Sequence, residues 1–283
     1  MRWTNYHGHC NYCDGRGTIE EFVLKAIELN MAAIGISSHA PVPFETGWTM
    51  PGDKLDAYIK EVKSLKEKYK DDIDVLMSLE VDYIPGVAGP GSSLVKSCGL
   101  DYVIGSIHFM GMLNDGVYWA IDGAFSELER GLNEVYNGDS KKVVQEYYRL
   151  QREMIQNSTP DIIGHMDKIK MHNKKNLLFD ESATWYRDEL RHTFEVIKEY
   201  GIIVEINTKA LFRSNMLFPG QDCFMWLKEM DIPVTINSDA HQPDLLLVGF
   251  EEVSTMLKDA GIKYLVEFIG GKWKQVKITN YEF

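Results

Sequence analysis

Short apolar runs rich in β-branched residues alternate along the chain with longer stretches whose apolar positions recur every three or four residues. The first pattern reads as buried strands and the second as amphipathic helices, so the alternation predicts βαβ units and a parallel sheet. Strands are predicted at Trp3 to Tyr6, Ala32 to Ser37, Ile73 to Leu79, Tyr102 to Ile107, Ile162 to Gly164, Ile202 to Ile206 and Pro233 to Asn237. Helices are predicted at Thr18 to Asn30, Pro51 to Lys70, Ser92 to Ser97, Ser140 to Gln156, Ser182 to Tyr200, Gln221 to Met230 and Phe250 to Ala260. The first helix carries its own start signal. Thr18 is followed three residues later by Glu21, the pair a capping box needs, and Phe22, Ala26 and Leu29 share one face. The tail ends in a run containing Gly270-Gly271 that suits a hairpin. No repeat, linker or low-complexity segment divides these units, so one α/β domain over residues 1–283 is expected. Periodicity alone fits both a barrel and an open doubly wound sheet.

The polar residues that end the strands favour the barrel. His7-Gly8-His9 follows the first strand, Ser38-His39 the second, Glu80 the third, His108 the fourth, His165 the fifth, and Asp239-Ala240-His241 the seventh. In a β/α barrel the C-terminal strand ends form one face, and active sites are built there. Six of the eight histidines fall at such ends, and imidazoles with carboxylates make a ligand set for zinc, iron or manganese. His7 and His9 alternate along a strand, so both rings can reach one ion, and Asp239 with His241 has the same spacing. Glu80 ends a strongly apolar strand, where a carboxylate needs a partner. Asp14 lies in the loop after His9. His172, in a Lys- and Asn-rich loop, and His192, inside a helix, read as ordinary solvated residues.

Composition narrows the function. The net charge of −12, from 42 acidic and 30 basic residues, repels polyanions, since nucleic-acid binding relies on neutralising phosphates with Lys and Arg. No apolar run approaches the ~20 residues of a membrane span, and the first residues lack a signal-peptide core, so a cytoplasmic protein is expected. Four cysteines are too few for a disulfide framework, and Cys10-x-x-Cys13 lacks the second pair of a zinc site. There is no G-x-x-x-x-G-K-[ST] and no G-x-S-x-G, and Gly86 to Gly91, interrupted by Pro90, reads as a turn.

His7-Gly8-His9, Asp14, His39, Glu80, His108, His165 and Asp239-Ala240-His241 together resemble the polymerase-and-histidinol-phosphatase (PHP) superfamily, in order and over the whole chain. The stretches from Asp101 to Phe109, Gly164 to Asp167 and Glu205 to Arg213 resemble its histidinol-phosphatase branch. The resemblance implies a distorted (β/α)7, TIM-like barrel with three divalent metal ions. His7, His9, Glu80 and Asp239 would hold the first. Glu80, as a bridge, would hold the second with His108 and His165, and Asp14, His39 and His241 the third. One departure is Asn5, where the family often has Asp; this touches hydrogen bonds around the ligands rather than the ligands.

Three divalent ions against three carboxylates leave a net positive site, which attracts a phosphate monoester. A metal-bound water with a pKa lowered toward ~7 supplies hydroxide for in-line attack. Asp239 is the candidate to shuttle a proton to the leaving oxygen, with His241 beside it. Arg213 can hold phosphate through two hydrogen bonds, and Lys170 and Lys209 are further candidate phosphate cations. Trp119 and Asp122 are placed to meet an aminoalkyl-imidazole by stacking and charge. The expected activity is hydrolysis of L-histidinol phosphate, a small-molecule step of histidine biosynthesis. Competing readings are a nuclease or nucleotide phosphatase with the same ions, and a non-catalytic metal-binding sensor.

Overall fold

In the computed structural model, which describes residues 2–174 and 177–281, the predicted capping box opens the first helix. Glu21 donates its N–H to Thr18 Oγ1 at 3.2 Å, and Thr18 donates its own to Glu21 Oε2 at 2.6 Å. The helices are α1 (Ile19–Glu28), α2 (Leu55–Lys68), α3 (Ser93–Ser97), α4 (Phe125–Tyr136), α5 (Ser140–Ser158), α6 (Thr184–Tyr200), α7 (Leu211–Ser214), α8 (Phe224–Glu229) and α9 (Phe250–Asp259). No helix among the described residues is long and apolar enough to cross a membrane.

The fold is mixed α/β, and the predicted strands pair in parallel. Strands β1 (Thr4–Asn5), β2 (Ala33–Ile36) and β3 (Asp74–Met77) form one sheet. The other runs in the order β10-β9-β8-β5-β4, from β4 (Glu80–Asp82), β5 (Ile104–Ser106), β8 (Ile162–Ile163), β9 (Ile203–Asn207) and β10 (Val234–Asn237). The expected strand from Ile73 to Leu79 is found as β3, and β4 begins just past it. Past Ser78-Leu79 the chain continues as β4, which pairs with β5. Beyond the regular strands, isolated parallel bridges join His39 to Glu80 and Gly8 to Ala240. Ala40 N–H donates to the Glu80 carbonyl and His9 N–H to the Ala240 carbonyl, each at 2.8 Å.

Between β5 and β8 the structure adds two elements that the sequence pattern does not reveal. One is an antiparallel hairpin of β6 (Phe109–Met112) and β7 (Tyr118–Ala120), whose strands are too short for a clear period of two. The other is α4, whose helical signal is weakened by Gly131 in its interior. That glycine has a packing reason, because a Cβ there would lie 1.9 Å from Cε2 of the buried Trp119. Gly131→Ala is therefore expected to lower the thermal midpoint by several degrees, reflecting an overpacking cost of about 1–3 kcal/mol. Calorimetry checks this; a raised midpoint would mean that helix propensity outweighs the clash.

The tail forms the expected hairpin, β11 (Tyr264–Phe268) with β12 (Trp273–Lys277), turning through Gly270 and Gly271 at φ of 61° and 77°. It packs on the sheet interior. Tyr6, Ala33, Leu76, Tyr102, Ile104, Ile162, Ile203 and Val266 form one buried cluster, with Ala33, Leu76, Ile104, Ile162 and Ile203 contributed by five different parallel strands. Gly35 makes room for Tyr102, whose hydroxyl donates to the Tyr6 carbonyl. The Phe268 N–H donates to the Tyr6 hydroxyl at 2.8 Å.

Candidate metal centre

The C-terminal ends of the parallel strands bring all nine predicted ligand residues together. Glu80, the first residue of β4, is fully buried and stands at their centre. Its Oε2 lies 3.2 Å from His7 Nε2, 3.4 Å from His9 Nε2 and 3.0 Å from His39 Nδ1. Its Oε1 lies 2.8 Å from His165 Nε2 and 3.8 Å from His108 Nε2. Asp239 Oδ1 is 3.2 Å from His9 Nε2 and 3.8 Å from His7 Nε2. Asp14, about a third exposed, reaches His241 Nε2 at 3.3 Å and His39 Nε2 at 3.9 Å. Asp239 and His165 take positive φ, 48° and 22°, which L residues adopt at a cost and which here turn their side chains into the cluster.

These atoms fit cations. His7 Nε2, His9 Nε2, His39 Nδ1 and Glu80 Oε2 are buried and have no hydrogen-bond partner among the described residues. Leaving such groups unmatched costs about 1–3 kcal/mol each. Two donors on one ion with bonds of about 2.1 Å stand roughly 3.4 Å apart at a tetrahedral angle, which is the separation seen around Glu80 Oε2. Among the described residues three donor groups emerge, each with its ligand atoms within 4.8 Å of one another: His9, Asp14, His39 and His241; His7, His9 and Asp239; and His39, Glu80 and His108. His9 and His39 therefore each lie between two groups, a sharing that strand-end spacing does not reveal.

The protonation states also bear on ion binding. Burial lowers His9, and the His39 and His241 rings push it further, well below the usual imidazole range. Burial and Lys168 push His165 down to about 4. Both rings are therefore neutral and ready as ligands. Burial would lower His7, but Glu205 and Glu80 raise it well above the usual value; His108 rises to about 9, burial being outweighed by Asp82. A group raised above pH 7 holds its proton there, so an ion must displace it, and affinity weakens as pH falls. Titrating zinc into metal-stripped protein at pH 7 should release about two protons per chain, from His7 and His108. Calorimetry in buffers of different ionisation heat measures this; heats independent of buffer would contradict it.

The residues that hold the ligands in place were largely invisible in the sequence. Glu205, buried on β9, accepts from His165 N–H at 2.8 Å and pairs with His7 Nδ1 at 2.6 Å. Asn207 and Asn237 donate to the same carboxylate at 3.0 and 3.1 Å. Asp82 meets His108 Nδ1 at 3.0 Å. Such partners set the tautomer and orientation of a ligating ring. Asn5 accepts from the backbone N–H of His7 at 3.1 Å and donates to Ser238 Oγ at 2.7 Å. It therefore joins the first and last ligand loops without touching a ring.

A cavity of about 590 Å³ opens over the cluster, and Asp14, His39, Glu80, Asp239 and His241 all border it. Lys209 reaches Asp239 Oδ1 at 3.1 Å and His241 Nε2 at 3.3 Å. Trp119 and Asp122 line the same cavity. Arg213 lines an adjoining cavity of about 410 Å³ that shares Asp14, Lys209, Asp239 and His241 with the first and adds Arg16. Lys170 lies elsewhere: it pairs with buried Asp167 at 2.5 Å and borders a separate cavity with Asn173 and Gly220. Of Lys168 and Lys170, it is Lys168 that faces the cluster, 3.0 Å from Asp122 Oδ2 and 3.4 Å from His108 Nε2. Lys168–Lys170 is a single 3₁₀ turn; with three residues per turn, positions two apart point to different sides. His172 binds the Gly123 carbonyl at 2.9 Å, and His192 is exposed.

The family model of the PHP domain matches residues 5–209. The chain belongs to the PHP domain family. A relative from Deinococcus radiodurans, named "Probable histidinol-phosphatase", is 26% identical over 263 residues, spanning 90% of this chain and 92% of its own. A solved structure from Listeria monocytogenes superposes with a TM-score of 0.77 at 22% identity, over 88% of this chain and 99% of its own. The histidinol phosphate phosphatase of Lactococcus lactis, solved with zinc, L-histidinol and phosphate, gives 0.69 at 19% identity, over 96% and 99%. This chain shares their fold.

Proposed function

We propose that this chain is a metal-dependent phosphomonoester hydrolase acting on L-histidinol phosphate, built as one catalytic domain over residues 1–283. The observation that carries this reading is the set of buried, unpaired imidazole nitrogens around Glu80 at the floor of a cavity that also presents Lys168 and Lys209. The named relative spans nine-tenths of the chain, and the Lactococcus lactis enzyme binds the corresponding product alcohol and phosphate. Free cysteines suit a reducing cytoplasm.

Three further points belong to the same reading. The strands close into a distorted (β/α)7 barrel. Support comes from the Gly8–Ala240 and His39–Glu80 bridges, which join the ends of β1 and β2 to β10 and β4 of the other sheet, and from the buried cluster drawn from five strands. The centre holds three divalent ions, zinc, iron or manganese, on His7, His9, Glu80 and Asp239; on Glu80, His108 and His165; and on Asp14, His39 and His241. The three overlapping donor groups support that number. Such ions would supply positive charge for the phosphate dianion and lower the pKa of water.

The chain's own residues do the rest. Lys168 and Lys209, with Arg213 from the adjoining cavity, hold phosphoryl oxygens. Asp122 keeps Lys168 aimed into the cavity and faces the substrate ammonium, and buried Trp119 backs that wall. Asp239 takes a proton from the attacking water and returns it to the leaving oxygen, while His241, whose Nδ1 lies 3.5 Å from Asp239 Oδ1, holds that carboxylate in place. Phosphate release from histidinol phosphate, nucleoside monophosphates and oligonucleotides, followed by malachite green, tests the reading. Turnover of histidinol phosphate should exceed the others at least tenfold; faster turnover of either nucleotide class would overturn it.

A further inference from the structure

We propose that Trp48, Phe109, Phe44 and Tyr118 form an aromatic track that selects phosphate esters whose alcohol carries a planar ring. The inference rests on the phosphatase reading above and adds the residues that choose the substrate. The loop between β2 and α2 carries both the candidate ligand His39 and Trp48. The Trp48 ring lies 4.6 Å from the His39 ring and 5.3 Å from the His108 ring, so the track begins at the cluster. Phe109 stacks on Trp48 at 5.2 Å and 16°. Phe44 meets Phe109 edge-on at 5.2 Å, and Tyr118 stacks on Phe44 at 4.0 Å and 18°. All four rings line the large cavity, and Trp48, Phe44 and Tyr118 remain only partly buried there.

Two features point to a ligand rather than to packing alone. First, the track leads outward in steps from the place where a phosphoryl group would be held. A ring joined to phosphorus by five single bonds sits roughly 6 Å away by ordinary bond geometry, and Trp48 is the ring of the track that stands against the candidate ligands His39 and His108. Second, aromatic surface left partly open in a polar cavity gains by covering, and ring pairs add an orientation-dependent attraction. The track also spans two elements, loop and hairpin, so a stacked ligand ring would tie them together.

The test compares kcat/KM for histidinol phosphate with that for O-phosphoethanolamine, which keeps the phosphate and the ammonium but has no ring. The ratio should be at least about a hundredfold in the wild type, and should fall about thirtyfold in Trp48→Leu and about tenfold in Phe44→Ala. Trp48→Phe should recover most of it. Among the described residues the ring contacts of Phe44 are with Phe109 and Tyr118 and not with a histidine, so its variant separates ring selection from any disturbance of His39 or His108. Zinc content by elemental analysis should match the wild type in all three. Unchanged ratios in both Trp48→Leu and Phe44→Ala, or a wild type that hydrolyses the two esters equally, would overturn the track. If nucleoside monophosphates prove the better substrates, the histidinol phosphate reading fails, and the nucleotide-to-phosphoethanolamine ratio in the same variants still decides the track.

Discussion

Glu80→Gln should lower kcat by at least about a thousandfold and strip most of the bound metal, even though the two side chains have nearly the same shape. The reason is the number of groups that converge on one carboxylate. Oε2 faces His7, His9 and His39, and Oε1 faces His165 and His108 while accepting from Ser106 Oγ at 2.6 Å. Burial alone would raise the Glu80 carboxyl; His7, His39 and His108 outweigh it and hold it well below the carboxylate range. The carboxylate is thus charged at every working pH. An amide removes that charge and turns an NH₂ donor toward nitrogens that must act as acceptors for an ion. Elemental analysis, kcat and circular dichroism of purified Glu80→Gln check this together. A folded variant that kept its metals and a tenth of wild-type kcat would contradict the central position of Glu80.

Asp239→Asn should cost about a hundred- to ten-thousandfold in kcat, the range for loss of a proton-transferring group. Asp239 has φ of 48°, a left-handed conformation that Asn tolerates as well as Asp, so the substitution leaves the backbone alone. What changes is the buried carboxylate. Its Oδ1 meets Lys209 at 3.1 Å and His9 at 3.2 Å, and its Oδ2 accepts from Asn207 at 3.3 Å. Burial would raise its pKa, but Lys209 and His7 hold it well below the usual range, so it is ionised at neutral pH. The decisive measurement is kcat at saturating metal, as a function of pH. If Asp239 only holds ions, excess metal restores kcat. If it carries the proton, kcat stays low. A near-normal rate with an unchanged pH profile rules the proton role out.

Several site residues needed no structure to be picked out. Six imidazoles with Glu80 and Asp239 at strand ends already pointed to one metal-binding face, because in parallel β/α folds those ends converge. Lys168 and Lys170 show the limit of that reasoning. Both follow β8, and only the 3₁₀ turn decides that Lys168 faces the cluster while Lys170 turns to Asp167. Glu205 shows another limit. In the run Ile202 to Ile206 it reads as one polar residue in a buried strand, yet its carboxylate pairs with a histidine 198 positions away.

The sequence alone determined the alternation of strands and helices, the start of α1, the tail hairpin and the chemistry of the strand ends. These depend on side-chain period, on capping partners three residues apart and on residue type, all of which are local. Tertiary structure decided the pairing of β4 with β5, the hairpin of β6 and β7, the helix built around Gly131, and which lysine and which aromatic rings face the cavity. Those features follow from sheet register and from packing between segments far apart in the chain, where the partner is chosen by space rather than by spacing.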